Sequence, residues 1–396
     1  MRYRVVLNAT TLKRGGGIQA CVSFVRTSLK AESDIQWVYF VSSRVNEELS
    51  KFGVEIDPRM LKVFEVSPAQ NRRVRGELAA TVKSVKPDGV FTFFGPAYVD
   101  FQVPHLCGVA DGWVTHSTRI AYGSLRSNLD KLLTLLRCTY KGWWYRRADQ
   151  WVVEAECARK GLKRRLAIDE SHVHLVPNSC AAHYFENAVG KCPLGKAKNK
   201  TILTLSSYHP HKNLELIPRV AHELKNVIGH DDFRFVITIP KQLKESKLIE
   251  KAARQLNVAN NVVNIGPVSV KDGPKLYAAV DVVFVPTLLE TFSSVYPEAM
   301  ACNKPIVTTD LEFAHDICGD AALFFAPLDP MSAATNIAEI LRDQCLEDFV
   351  VAEGAKVLET LPTAERKYRM HESIMIDTIV NYWAGADSHK DRCRGT

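Results

Sequence analysis

No apolar run in this chain approaches the roughly 20 residues that a membrane-spanning helix requires, which argues against a transport protein built of spans. The ten cysteines include no CxxC pair, so neither a zinc ribbon nor a dithiol centre is indicated. Scattered thiols such as Cys21, Cys107 and Cys302, set in apolar segments, suit a reducing compartment better than a disulfide framework. No Asp-x-Asp stands at a strand end, and no His/Cys/Asp group has ligand spacing, so a divalent cation is not demanded and no metal is expected. No Ser-His-Asp order is evident. The aromatic–basic platform typical of nucleic-acid modules is also lacking, so nucleic acid is not an expected partner. The opening Met1–Leu7 reads as a strand that soon meets polar residues, not as a secretory signal. The expected setting is the cytoplasm, with the inner face of a membrane as a candidate neighbour.

What is present points to two α/β domains. A length of 396 residues exceeds the usual single-domain size, and 46% hydrophobic content is ample for two cores. The net charge of +7 suits a polyphosphate ligand or an anionic surface, without selecting either. Short apolar runs alternate with helical patterns over 3–176, predicting strands near 3–7, 37–41, 61–66, 89–94, 105–110, 150–154 and 172–176. Helical patterns fall near 17–31, 71–85, 124–147 and 155–166. A lysine-rich polar stretch over 180–200 reads as a linker region, and the alternation then restarts. Strands are expected near 201–206, 233–239, 262–265, 282–285, 306–309 and 322–325, with helices between them and beyond, from 212–227 to 346–361. This order implies doubly wound parallel sheets. The expected division is 1–180, 181–363 and a terminal helix with tail over 364–396, whose last ten residues look disordered.

The most informative stretch is Leu289–Met300. A buried strand, Val282–Val285, runs into a loop carrying Glu290; a helix carrying Glu298 follows, and then another strand. Ligands of open α/β sheets bind at the carboxyl ends of strands, where helix N-termini favour anions. The backbone N–H groups of Ser293, Ser294 and Val295 would line such a site. In the first domain, Gly15-Gly16-Gly17 follows the first strand and opens a helix, so backbone can approach a ligand there. The spacing is not the dinucleotide fingerprint.

Two glutamates eight apart in this context resemble the E-x7-E signature of retaining glycosyltransferases of the GT-B fold, family 4, also described as glycosyl transferases group 1. Asn264–Val268, Leu276–Asp281, Ala299–Val307 and Gly319–Phe325 resemble the same family's C-terminal domain. The likeness is strong over about 200–345; over 1–200 the order of elements matches better than the residues. It implies two Rossmann-like domains facing across a cleft and a last helix that crosses back to the first domain. It also implies transfer of a sugar from a nucleotide-diphosphate sugar to a glycan or lipid-linked acceptor with retained configuration, in bacterial surface polysaccharide assembly, with no cofactor beyond the donor substrate.

The resemblance further implies roles. Lys212, in the loop after the first strand of the second domain, would contact the diphosphate. The family's arginine six residues earlier is Ser206 here, leaving one certain cation, with His209 and His211 as neighbours that supply hydrogen bonds or, with raised pKa, charge. Glu298 would clamp the ribose hydroxyls. Glu290 would orient sugar hydroxyls or stabilise positive charge at the anomeric carbon. Thr291 and Ser293 replace family glycines, which leaves the identity of the sugar open. Gly16 and Gly17 would border the donor phosphate or the acceptor. The family's histidine after the strand near 105–110 is Ala110 here, leaving Asp111 as the acceptor-side candidate; His116 reads as an exposed loop residue. The basic, aromatic segment 131–147 reads as a core-facing helix with solvated cations, the alternative being an anionic bilayer surface near a lipid-linked acceptor. Two rival functions stay open: a sugar-nucleotide hydrolase or epimerase on this fold, and a non-catalytic subunit that binds a sugar nucleotide or glycan.

Overall fold

The computed structural model describes residues 2–13, 15–186, 194 and 199–393, with side chains described through residue 384. Two compact units emerge. One comprises Met1–His116, Leu132–Asn178 and Pro362–Thr396; the other comprises Ser117–Lys131 and Ser179–Leu361.

The first unit holds a parallel sheet of β1 (Tyr3–Ala9), β2 (Ile35–Ser42), β3 (Leu61–Phe64), β4 (Gly89–Thr92), β5 (His105–Val109), β6 (Gln150–Val153) and β7 (Val173–Leu175), in the order β3-β2-β1-β4-β5-β6-β7. The second holds β8 (Lys200–Thr204), β9 (Phe233–Ile237), β10 (Val262–Asn264), β11 (Val282–Val285), β12 (Ile306–Thr309) and β13 (Ala322–Phe325), ordered β10-β9-β8-β11-β12-β13. All thirteen strands lie where the sequence places them, and the central ones, buried on both faces, read as continuous apolar runs. In each sheet the winding reverses once, between β1 and β4 and between β8 and β11. Such a reversal opens a crevice at the carboxyl edge of the two strands, the usual ligand position of this architecture.

Some elements were not anticipated. The helix Ser43–Lys51 starts directly from β2 and is capped by Ser42, whose hydroxyl accepts from Val45 N–H. The helix Glu312–Cys318 follows β12. The region after β8 begins as two 3₁₀ turns, Pro210–Lys212 and Leu214–Leu216, before a helix at Ile217–Ile228. Asn213 takes φ 55° between them, a left-handed position that prevents one continuous helix from 212.

The terminal helix Ala364–Cys393 packs in the first unit. Tyr368, Met375 and Ile379 join the core of β1, β2 and β4. The close approach requires Gly89, where a Cβ would meet Met375 Cε at 2.4 Å. Trp37 Nε1 donates to the Tyr368 hydroxyl at 3.0 Å. Buried Lys367 bonds to Glu154 at 3.1 Å and Asn178 at 2.6 Å. Removing one partner of such a buried pair typically costs about 3–5 kcal/mol. The helix continues to Cys393, where the sequence suggested disorder from 387; the apolar spacing fades there but the helical backbone does not.

The helix Asn128–Tyr145 overturns a second expectation. Of its residues only Gly142 and Tyr145 are buried, whereas Leu132, Leu136, Tyr140 and Trp143 are exposed. Its apolar stripe faces away from the core.

Candidate donor site at the switch point of the second sheet

The loops that follow β8 and β11 leave adjacent strands at the reversal of the second sheet. They carry Lys212 and Glu290. Thr204, Ser206, Lys212, Thr287, Ser293 and Val295 line one pocket there. Sequence-predicted residues 78 positions apart are thereby brought together: Lys212 Nζ donates to Glu290 Oε1 as an ion pair. Both side chains are mostly enclosed, 19% and 15% exposed, so the attraction is screened less than at an open surface.

Threonines that the sequence reading missed hold the two loops in register. Leu288 N–H donates to the His211 carbonyl at 2.7 Å, and Thr287 Oγ1 reaches that same carbonyl at 3.2 Å. Thr309 Oγ1, at the end of β12, donates to the Thr287 carbonyl at 2.5 Å. Thr238 Oγ1 accepts from Ser206 N–H at 3.1 Å. The signal in hindsight is threonine at the last positions of apolar strands, where a hydroxyl can tie a loop to the sheet edge.

Among the described residues, the backbone N–H groups of Ser293, Ser294 and Val295 have no acceptor within the protein. Ser293 is buried and Ser294 exposed. Three donors beside a lysine make a receptor for anionic oxygen, since an N–H left unbonded is stabilised by a charged acceptor. His209 and His211 stack with ring centroids 5.4 Å apart. Burial, aided by Lys212 and His209 as neighbours, pushes His211 down to about 3, so it is neutral and adds no charge. Ser206 donates its hydroxyl to the Ser207 carbonyl at 2.8 Å. In this loop the charge therefore rests on Lys212.

Glu298 sits one turn into the helix Val295–Ala301. The Tyr277 hydroxyl donates to its Oε2 at 3.0 Å, and Ser294 and Tyr184 also bond to it. Tyr184 and Tyr277 pack edge to face at 5.8 Å. Gly273 permits this, because a Cβ there would strike the Tyr184 hydroxyl at 2.4 Å. Burial pushes the Glu298 carboxyl up to about 7, and the hydrogen bonds oppose it. Neither phenol was foreseen, since the residues lie 21 and more positions from Glu298.

In the first unit, Gly15 takes φ 77° and leads into the helix Gly16–Ser28. Space is open beside Gly16, whereas a Cβ on Gly17 would meet the Phe94 ring at 3.3 Å. Asp111 follows β5 and accepts from Lys141 Nζ at 2.6 Å. Burial pulls Lys141 down, but Asp111 outweighs it and holds the amine above its ordinary value. Lys141 is thus a partner of Asp111 and not a solvated cation. Ala110 is exposed. His116 corrects the sequence reading: it is 6% exposed, its Nδ1 lies 2.8 Å from Thr115 Oγ1 and its Nε2 lies 3.9 Å from Cys157 Sγ. The helix Glu156–Leu166 carries Cys157 over it, a long-range contact that no local pattern announces. Among the described residues no three His, Cys, Asp or Glu side chains are grouped as a metal would need.

Known proteins resemble this chain in sequence and in fold. Residues 193–356 match the family described as Glycosyl transferases group 1. An uncharacterised glycosyltransferase of Methanocaldococcus jannaschii is 26% identical over 162 residues, 40% of each chain. The O-antigen chain mannosyltransferase B of Escherichia coli is 29% identical over 108 residues, 27% of each chain. The matched part therefore spans well under two thirds of these relatives. Among solved structures, Anabaena HepE in complex with UDP-glucose superposes with a TM-score of 0.71 at 13% identity, covering 96% of this chain and 100% of that one. The fold is that of the GT-B glycosyltransferases, and residues 193–356 of this chain match the glycosyl transferases group 1 family.

Proposed function

We propose that the chain is a glycosyltransferase that moves a sugar from a nucleotide-diphosphate sugar to a glycan or lipid-linked acceptor, with retention of configuration. The observation that carries this reading is that Lys212, paired with Glu290, lines one pocket at the switch point of the second sheet together with Ser293 and Val295, whose backbone N–H groups have no acceptor among the described residues. The family match over 193–356 and the UDP-glucose held by HepE support it.

In this reading the donor's diphosphate draws Lys212 away from Glu290. The lysine and the three amides then face the oxygens on which charge grows as the leaving group departs, and fixed donors of this kind supply much of the catalytic effect. Glu298, held by Tyr277 and Tyr184, accepts from the ribose hydroxyls. Glu290, released from Lys212, faces the sugar, where its negative charge orients hydroxyls or opposes positive charge at the anomeric carbon. Asp111 serves the acceptor side, oriented by Lys141. The open backbone at Gly16 and the closely packed helix start at Gly17 stand ready for a ligand of the first unit. No metal enters the scheme, because Lys212 and the amides do the work of a cation.

Related mannosyltransferases of O-antigen chains favour surface polysaccharide as the setting. The test is transfer with a panel of radiolabelled nucleotide sugars and a lipid-extract acceptor. Labelled product whose anomeric configuration matches the donor is expected. Stoichiometric hydrolysis without transfer, or binding with no turnover of any donor, would reject the proposal.

A further inference from the structure

The helix Asn128–Tyr145 places a continuous apolar stripe in solvent. At 3.6 residues per turn, Leu129, Leu132, Leu136, Tyr140 and Trp143 fall on one side, and Cys138, Gly142 and Tyr145 fall on the opposite side. The stripe is 64%, 52%, 56%, 43% and 46% exposed in that order. The opposite side is anchored. A Cβ on Gly142 would meet Leu166 Cδ2 at 2.7 Å, the Tyr145 hydroxyl donates to the Gly95 carbonyl at 2.5 Å, and Arg146 Nε donates to the Leu166 carbonyl at 2.8 Å. The helix therefore cannot turn its leucines inward without losing these contacts. An amphipathic helix with its apolar face outward is unusual, since that face normally faces the core.

We propose that this face docks on an anionic phospholipid bilayer, with the helix lying in the interface plane. Three features select that occupant. Leucines fill the stripe, and Tyr140 and Trp143, amphipathic rings that settle at the headgroup level, complete it. The charge is one-sided: over 128–147 stand Lys131, Arg137, Lys141, Arg146 and Arg147, against Asp130 alone. Lys141 is neutralised by Asp111, and Arg147 by Asp100 at 2.7 Å; of the remaining cations Arg137 and Arg146 flank the stripe, one on each side, and Lys131 falls on the anchored side. A second copy meeting this face by two-fold symmetry would set those same cations against themselves, whereas anionic headgroups complement them. Finally, no helix among the described residues is long and apolar enough to cross a membrane, so the helix rests on the surface.

The experiment is co-sedimentation of the full chain with vesicles of phosphatidylcholine alone and of phosphatidylcholine with phosphatidylglycerol, at low and high salt. Binding to the anionic vesicles is expected, weakening as salt rises. The triple change Leu132→Ser, Leu136→Ser and Trp143→Ser should reduce partitioning by roughly tenfold or more, by loss of buried apolar area. Arg137→Gln, which keeps the stripe, should reduce it about fivefold. Circular-dichroism melting should be unchanged in both variants. Calorimetric nucleoside diphosphate binding reads the proposed function separately and should also be unchanged. Wild-type chain that ignores both vesicles, variants that partition like wild type, or a lipid-free dimer that dissociates in the stripe variant without any vesicle binding would each overturn the proposal.

Discussion

The two units repeat one topology, yet their carboxyl edges are furnished differently. At the switch point of the second sheet a lysine and a glutamate face each other beside three unbonded amides. At that of the first sheet stand an open glycine turn and a buried neutral network, in which Asn8 Nδ2 donates to Thr92 Oγ1 at 3.2 Å and Thr92 meets His105 at 2.8 Å. The first unit's Lys–Asp pair lies one strand over, after β5, on a helix that exposes leucine. A shared backbone supplies the position of a site, and the side chains decide its chemistry. Here one edge carries a charged pair and the other an uncharged network.

Four predictions sharpen the contrast. Lys212→Ala should lower kcat by about a hundredfold, the effect of losing one charge-stabilising donor, with folding intact by circular dichroism. An equally active variant would remove the lysine from the mechanism. Asp111→Asn should lower acceptor kcat/KM about tenfold, the scale of one charged hydrogen bond, and leave the KM for donor unmoved. A change in donor KM instead would assign Asp111 to the other substrate. Glu290→Gln frees Lys212 and should tighten nucleoside diphosphate binding about fivefold, the upper range of a partly screened ion pair, while turnover drops. Weaker binding in titration calorimetry would contradict the exchange of partners.

The smallest effect concerns pH. Burial raises Glu298 to about 7, above the 4.5 of a free carboxyl. A raised carboxyl binds more protons in the folded state, so its contribution to stability is complete below about pH 4.5 and is lost as pH rises through about 7. The melting temperature of wild type relative to Glu298→Gln should therefore fall from about pH 5 to about pH 8. A flat difference would show that the phenols fully offset the burial.

The central strands were legible because a strand covered on both faces must be apolar throughout, as Val282–Val285 is. The pairing of the Lys212 and Glu290 loops followed from strand order, which sequence pattern suggests. The stripe on 128–145 was visible as a periodicity, but period alone does not name what covers it, and the expected core face lies in solvent. The phenols around Glu298 and the burial of His116 depend on contacts across many residues, so nothing local foretold them. The segment 117–131 groups with the second unit, tied there by the ion pair of Arg126 with Glu245, a partner also remote in sequence.

The central claim is that the second sheet's switch-point pocket grips a diphosphate through Lys212. Titration calorimetry of a nucleoside diphosphate and its parent nucleoside, against wild type and Lys212→Ala, tests it most directly. The wild type should prefer the diphosphate strongly, and the variant should lose most of that preference while binding the nucleoside as before. An unchanged preference for the diphosphate in Lys212→Ala would contradict the account.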